Sequence, residues 1–128
     1  MNLLLDTHAF LWWISDDRRL SPGAREAIAD GGNVLYFSAA RGWEIAIKAR
    51  LGKLQVSDDL GRFLTGQLSR NAIRVLPIHL SHALHVHSLP DHHRDPFDRL
   101  LVSQALLEDQ PVLSANPQLA RYAVEVVW

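Results

Sequence analysis

The feature that most constrains this chain is the way short, wholly apolar runs stop abruptly at polar residues and give way to helical patterning. Leu3-Leu4-Leu5 ends at Asp6, the signature of a strand buried on both faces in a parallel sheet. Ala9 to Ile14 reads as a mostly buried helix. Ser21-Pro22 opens another with a capping side chain followed by proline, and Gly31-Gly32 closes it. Val34 to Phe37 is a second strand, and Ser38 precedes a helix that carries Trp43, Glu44, Ile45, Ile47 and Lys48 and ends near Gly52. Residues from about Asp58 to Asn71 form an amphipathic helix, and Arg74 to Ile78 a third strand with Pro77 near its end. His79 to His87 is helical until Leu89-Pro90. Pro111 to Ser114 is a fourth strand, Asn116-Pro117 a short helical turn, and Val124 to Val127 a last strand. Alternating strands and helices predict an α/β fold, a three-layer sandwich around a mostly parallel sheet of four to five strands, built as one domain over 1–128. The order of the strands does not follow from the pattern.

Composition narrows the functions available. The chain has no cysteine, which excludes a disulfide framework and a thiolate metal site. A formal charge of −1 supplies no global field for nucleic acid, so any such binding rests on a local patch. No apolar run is long enough to cross a membrane, and the N-terminus reaches Asp6 too soon for a signal peptide. The expected location is the cytoplasm.

The chemistry-bearing stretch is Asp95-Pro96-Phe97-Asp98-Arg99, continuing to Gln104-Ala105. Asp95 and Pro96 are helix-start grammar, and Asp98 falls in the first turn beside Asp95. In a parallel α/β sheet every strand C-terminus and every helix N-terminus lies on one edge. Asp6, Glu44, Asp95, Asp98 and Asn116 are therefore all expected on that rim. Acids crowded together raise one another's pKa unless a cation compensates. Oxygen donors without cysteine suit Mg²⁺ or Mn²⁺, whose bound water can attack a phosphodiester. The plainer reading is that these acids are unrelated helix caps favoured by helix dipoles.

Three segments in order, Leu3-Leu4-Leu5-Asp6-Thr7-His8, Trp43-Glu44-Ile45-Ala46-Ile47-Lys48 and the Asp95 stretch, closely resemble a PIN-domain ribonuclease of the VapC toxin type. Leu89-Pro90 before His93 and the terminal Tyr122…Trp128 share the likeness. The resemblance implies an Mg²⁺- or Mn²⁺-dependent endoribonuclease, the toxin of a type II toxin–antitoxin pair, homodimeric and restrained by a cognate antitoxin. It assigns the metal site to Asp6, Glu44 and Asp98, with Asp95 either supporting a ligand or only capping the helix. Where many members carry a fourth acid, this chain reads Ser114-Ala115-Asn116. A second metal should then bind more weakly, with Ser114 left to hydrogen-bond a ligand carboxylate or a metal-bound water.

Other features of the chain compete with this reading. Arg41, Lys48, Arg50 and Lys53 suit RNA phosphates or a solvated helix face, while Arg94 and Arg99 lie beside the acids; Arg99 could equally form a structural ion pair. His79, His82 and His85, with His92-His93, raise a zinc reading without a recognised ligand spacing. Phe10, Trp12 and Trp13 suit core or dimer interface better than base stacking. The rival functions are a PIN-like protein-binding module with a decayed site and a nuclease acting on DNA.

Overall fold

The computed structural model describes residues 1–55 and 59–128. Its frame is set by β1 (Asn2–Leu5), whose three leucines are fully buried and alternate between two cores. Leu3 and Leu5 face a cluster with Phe10, Ile28, Phe37 and Leu68. Leu4 faces one with Leu101, Val102, Val112 and Leu119. Period-two alternation in an all-leucine strand is what two-sided burial requires.

The first core takes α1 (Thr7–Ile14), α2 (Pro22–Ala29) and α4 (Leu60–Arg70); the second takes α6 (Pro96–Glu108). Between these layers β2 (Val34–Ser38), β3 (Ile73–Leu76), β4 (Val112–Leu113) and β5 (Val126–Val127) join β1 in a five-stranded sheet of order β3-β2-β1-β4-β5. Every pairing is parallel, with Leu4 opposite Tyr36 on one side and Val112 on the other. The predicted α/β sandwich is thus observed with a wholly parallel sheet. The remaining elements are α3 (Ala39–Arg50) and α5 (Leu80–His85).

Element ends follow the local chemistry. Ser21 accepts from the Ala24 amide with Pro22 in the first turn, and Ser38 caps α3 by accepting from Ala40. β3 stops at Leu76, ahead of Pro77, which has no amide to donate to a ladder. The helix expected over His79 to His87 divides into α5 and a 3₁₀ turn at Val86–Ser88. The start expected near Asp58 lies outside the described residues; α4 begins behind its cap Asp59. Among the described residues no helix is long and apolar enough to cross a membrane.

The sheet order locates the functional edge. The chain leaves β1 for β2 and β3 on one side, then crosses to β4 on the other. The gap between the C-terminal ends of β1 and β4 is therefore a topological switch point, where such sheets bind ligands. Asp6 and Ser114 stand there, and the Asp6 amide donates to the Leu113 carbonyl at 3.0 Å.

Candidate active site

Each acid arrives on a separate element. Asp6 follows the last residue of β1 and caps α1, its Oδ1 accepting from the Thr7 amide at 2.8 Å. Glu44 projects from the second turn of α3, and Asp98 is the third residue of α6. All three are buried, between 4 and 7 % exposed. They do not meet through unpaired oxygens. Arg41, one turn before Glu44 and only 1 % exposed, sits among them. Its Nη2 lies 2.6 Å from Asp6 Oδ1 and 2.7 Å from Asp98 Oδ1, and its Nη1 donates to Glu44 Oε1 at 3.0 Å.

The remaining lone pairs are nearly all engaged. Ser114 Oγ donates to Asp6 Oδ2 at 2.6 Å, and Thr7 Oγ1 to Glu44 Oε1 at 2.8 Å. Lys48 Nζ holds Glu44 Oε2 at 2.9 Å. Asn116 Nδ2 donates to Asp98 Oδ2 at 3.0 Å, and His93 Nε2 lies 3.1 Å from the same oxygen while its Nδ1 meets Tyr122 Oη. Burial by itself pushes Asp98 upward, but the Arg41 bond and charge, helped by His93, hold it below the ordinary carboxylate value. Burial likewise opposes ionisation of Glu44, and Lys48, Arg41 and Thr7 more than offset it. Arg41 loses solvation, yet Asp6, Glu44 and Asp98 together raise it above its ordinary value.

Several expectations change here. Arg41 is not on a solvated face and is not available to an RNA phosphate, because the carboxylates have drawn it inward. Asp95 is exposed and stays out of the cluster; its Oδ1 is spent on the Phe97 and Asp98 amides, as a cap. Arg99 reaches back to the Pro90 carbonyl at 2.8 Å and to Tyr122 Oη at 3.0 Å, tying the preceding loop to α6. Its guanidinium is 3.7 Å from Asp91, an exposed pairing. Lys48 is half-exposed but committed to Glu44, whereas Arg94 is exposed. Asn116, in place of an acid, acts on Asp98 as a donor. Among the histidines, His82 is buried and bonds Glu108, and His93 joins the acid cluster. Phe10 packs in the core against Phe37.

Sequence reasoning missed the roles of Thr7, His93 and Arg41. For Arg41 a signal existed, since a three-residue spacing places it beside Glu44 on one helix face. His93 reaches Asp98 through an irregular loop, and no periodicity marks it.

An open cleft of about 390 Å³ runs from Asp6 and Asn116 past His8, Trp12, Arg19 and Ala115. His8 stacks on Trp12 with ring centres 5.4 Å apart, and Arg19 lies over the Trp12 ring at 4.9 Å. The cleft therefore offers an aromatic wall and, next to Asp6, an exposed arginine that is paired with Asp17.

Two solved structures share the fold. The crystal structure of VapBC2 from Rickettsia felis, bound to a DNA fragment from its promoter, superposes with a TM-score of 0.72 at 15 % identity, covering 98 % of this chain and 97 % of that one. VapBC-1 from nontypeable Haemophilus influenzae superposes at 0.63 with 16 % identity, over 98 % and 96 % of the chains. Comparison with curated protein sequences finds no match. The family model for the PIN domain matches residues 3–125. On that match, which spans the strand-end Asp6, the α3 acid and the α6 acid alike, the chain belongs to the PIN domain family.

Proposed function

We propose that the protein is a VapC-type toxin, an endoribonuclease that hydrolyses RNA phosphodiesters with a divalent cation held by Asp6, Asp98 and Glu44. The observation that carries this reading is the convergence of Asp6 Oδ1 and Asp98 Oδ1 on one point, 2.6 and 2.7 Å from a single nitrogen, at the switch point of the sheet. Donor chemistry supports the metal: three carboxylates and no thiolate suit Mg²⁺ or Mn²⁺. When bound, such an ion supplies an activated water and offsets charge on the phosphoryl oxygens.

The chain's own residues do the rest. Ser114 fixes the Asp6 carboxylate and Asn116 that of Asp98, so both keep one orientation. Glu44, held ionised by Lys48, Arg41 and Thr7, is a weak base; its work is to orient water through the lone pair of Oε2 that Lys48 does not use. The cleft along Trp12 and Arg19 suits a single strand, with a base taking the place of His8 or Arg19 against the Trp12 ring and a phosphate on the guanidinium. Attack at phosphorus would leave a 5′-phosphate and a 3′-hydroxyl. The cognate antitoxin, a homodimer and a cytoplasmic location belong to the same reading, supported for the antitoxin by the fold shared with VapBC proteins.

The rival, a protein-binding PIN module without cleavage, is favoured by two features: Arg41 among the acids and Asn116 in place of a fourth. The deciding experiment incubates antitoxin-free protein with total RNA in Mg²⁺, Mn²⁺ or EDTA, beside Asp98→Asn. Discrete fragments that require metal and disappear in the variant support the nuclease. Intact RNA from folded protein under every metal condition supports the binding module.

A further inference from the structure

The guanidinium of Arg41 occupies the point on which the acids converge. A cation taken up by the two facing Oδ1 atoms of Asp6 and Asp98 would lie between them, and Arg41 Nη2 is already there. Three carboxylates face two fixed cations, Arg41 and Lys48. An arriving divalent ion therefore meets about one negative charge rather than three. As the side chains stand, no group of three His, Asp or Glu among the described residues is arranged to hold a metal. Mg²⁺ needs oxygen at about 2.0–2.1 Å, closer than the 2.6 and 2.7 Å at which the two Oδ1 atoms stand from Arg41 Nη2.

The plug is imperfect. Arg41 Nε is buried and has no hydrogen-bond partner among the described residues. A buried donor left unpaired is costly. The same side chain that balances the acids thus carries a standing penalty for staying inside.

We infer that Arg41 is a resident cation that competes with the divalent ion for Asp6, Glu44 and Asp98, so that metal occupancy requires its withdrawal. This rests on reading those acids as the metal ligands. It makes Arg41 a positioning residue for the metal-free site and predicts a latent form of the protein that tolerates chelation.

The test uses Mn²⁺ alone, with no RNA, titrated calorimetrically into the full chain. Arg41→Gln removes the charge and should bind Mn²⁺ about tenfold or more tightly than the parent. Arg41→Lys, which keeps a cation in the cluster, should remain near the parent value. In EDTA the Gln variant should melt below the parent and recover with Mn²⁺, while the parent's melting point hardly responds to the same concentration. Equal Mn²⁺ affinity in parent and Gln variant overturns the inference, as does failure of all three proteins to bind.

Should Arg41→Gln not fold, the parent answers by NMR. Its Arg41 Nε–H resonance, assigned by its loss in Arg41→Lys, must shift as Mg²⁺ binds; saturation with that resonance unmoved overturns the inference. Tighter Mn²⁺ binding by the Gln variant, with no RNA cleavage by the parent in Mg²⁺ or Mn²⁺, leaves the inference standing and removes the nuclease reading. Metal-dependent cleavage with equal affinities does the reverse.

Discussion

Asp6, Glu44 and Asp98 are buried, and each contact that holds them there has a testable cost. Ser114 Oγ both donates to Asp6 Oδ2 and accepts from the Asn116 amide. Ser114→Ala should therefore lose about 1.5–3 kcal/mol of stability, the usual range for a buried hydrogen bond to a charged group, in urea unfolding of chelated protein. A loss under 0.5 kcal/mol, no more than a surface substitution costs, would show that Asp6 does not depend on this hydroxyl. The depressed pKa values of Asp98 and Glu44 carry a sign. A carboxyl that is more acidic folded than unfolded contributes stability above its unfolded pKa, about 4, and loses it as pH falls through the folded value. The urea midpoint in EDTA should hold from pH 7 to about 5 and fall steeply below about 4. Glu44→Gln should flatten that fall; an unchanged profile would mean that the ion pairs contribute little.

At the level of elements, helix starts and strand ends bring the cluster together. Asp95 holds two amides of the first turn of α6, one of them that of Asp98. Asp95→Ala should cost about 1 kcal/mol as a lost N-cap, yet leave Mn²⁺ affinity within a factor of about two of the parent. A much larger loss of affinity would return Asp95 to the metal site. Such grammar was legible in the sequence: Leu3-Leu4-Leu5 broken at Asp6, Ser21-Pro22 and Asp95-Pro96 predict the elements that carry the acids. The parallel sheet follows from alternation, but its order β3-β2-β1-β4-β5 does not, since nothing local says on which side of β1 the chain returns. Arg41 escaped because a basic residue on a helix is ordinarily solvated; only two acids arriving from other elements, beside Glu44 on its own helix, make burial cheaper than exposure. The same holds for Thr7 and His93, whose partners lie on other elements or across a loop.

At the scale of the whole molecule, a formal charge of −1 supplies no long-range attraction to a polyanion. On the proposed reading, affinity for RNA would arise at the switch-point edge, where the cleft sets Trp12 and Arg19 beside Asp6. The two side chains should contribute in different currencies. Stacking on an aromatic ring is worth about 1–3 kcal/mol per base and is indifferent to salt. A cation on a single-strand phosphate adds about 0.7 to the slope of log affinity against log salt. Fluorescence anisotropy with a short single-stranded RNA and the Asp98→Asn protein, which should leave the strand intact, separates them. Trp12→Ala should weaken binding about tenfold at every salt concentration with the slope unchanged. Arg19→Ala should weaken it mainly at low salt and lower the slope by about 0.7. Arg19 also pairs with Asp17, which is held at about pKa 2, so RNA has to compete for it and the loss should be smaller than for an unpaired arginine. Binding that ignores both substitutions would exclude this cleft as the path of the strand and direct attention to the exposed face of α3 around Trp43, 60 % exposed beside Glu44 and packed on Phe97.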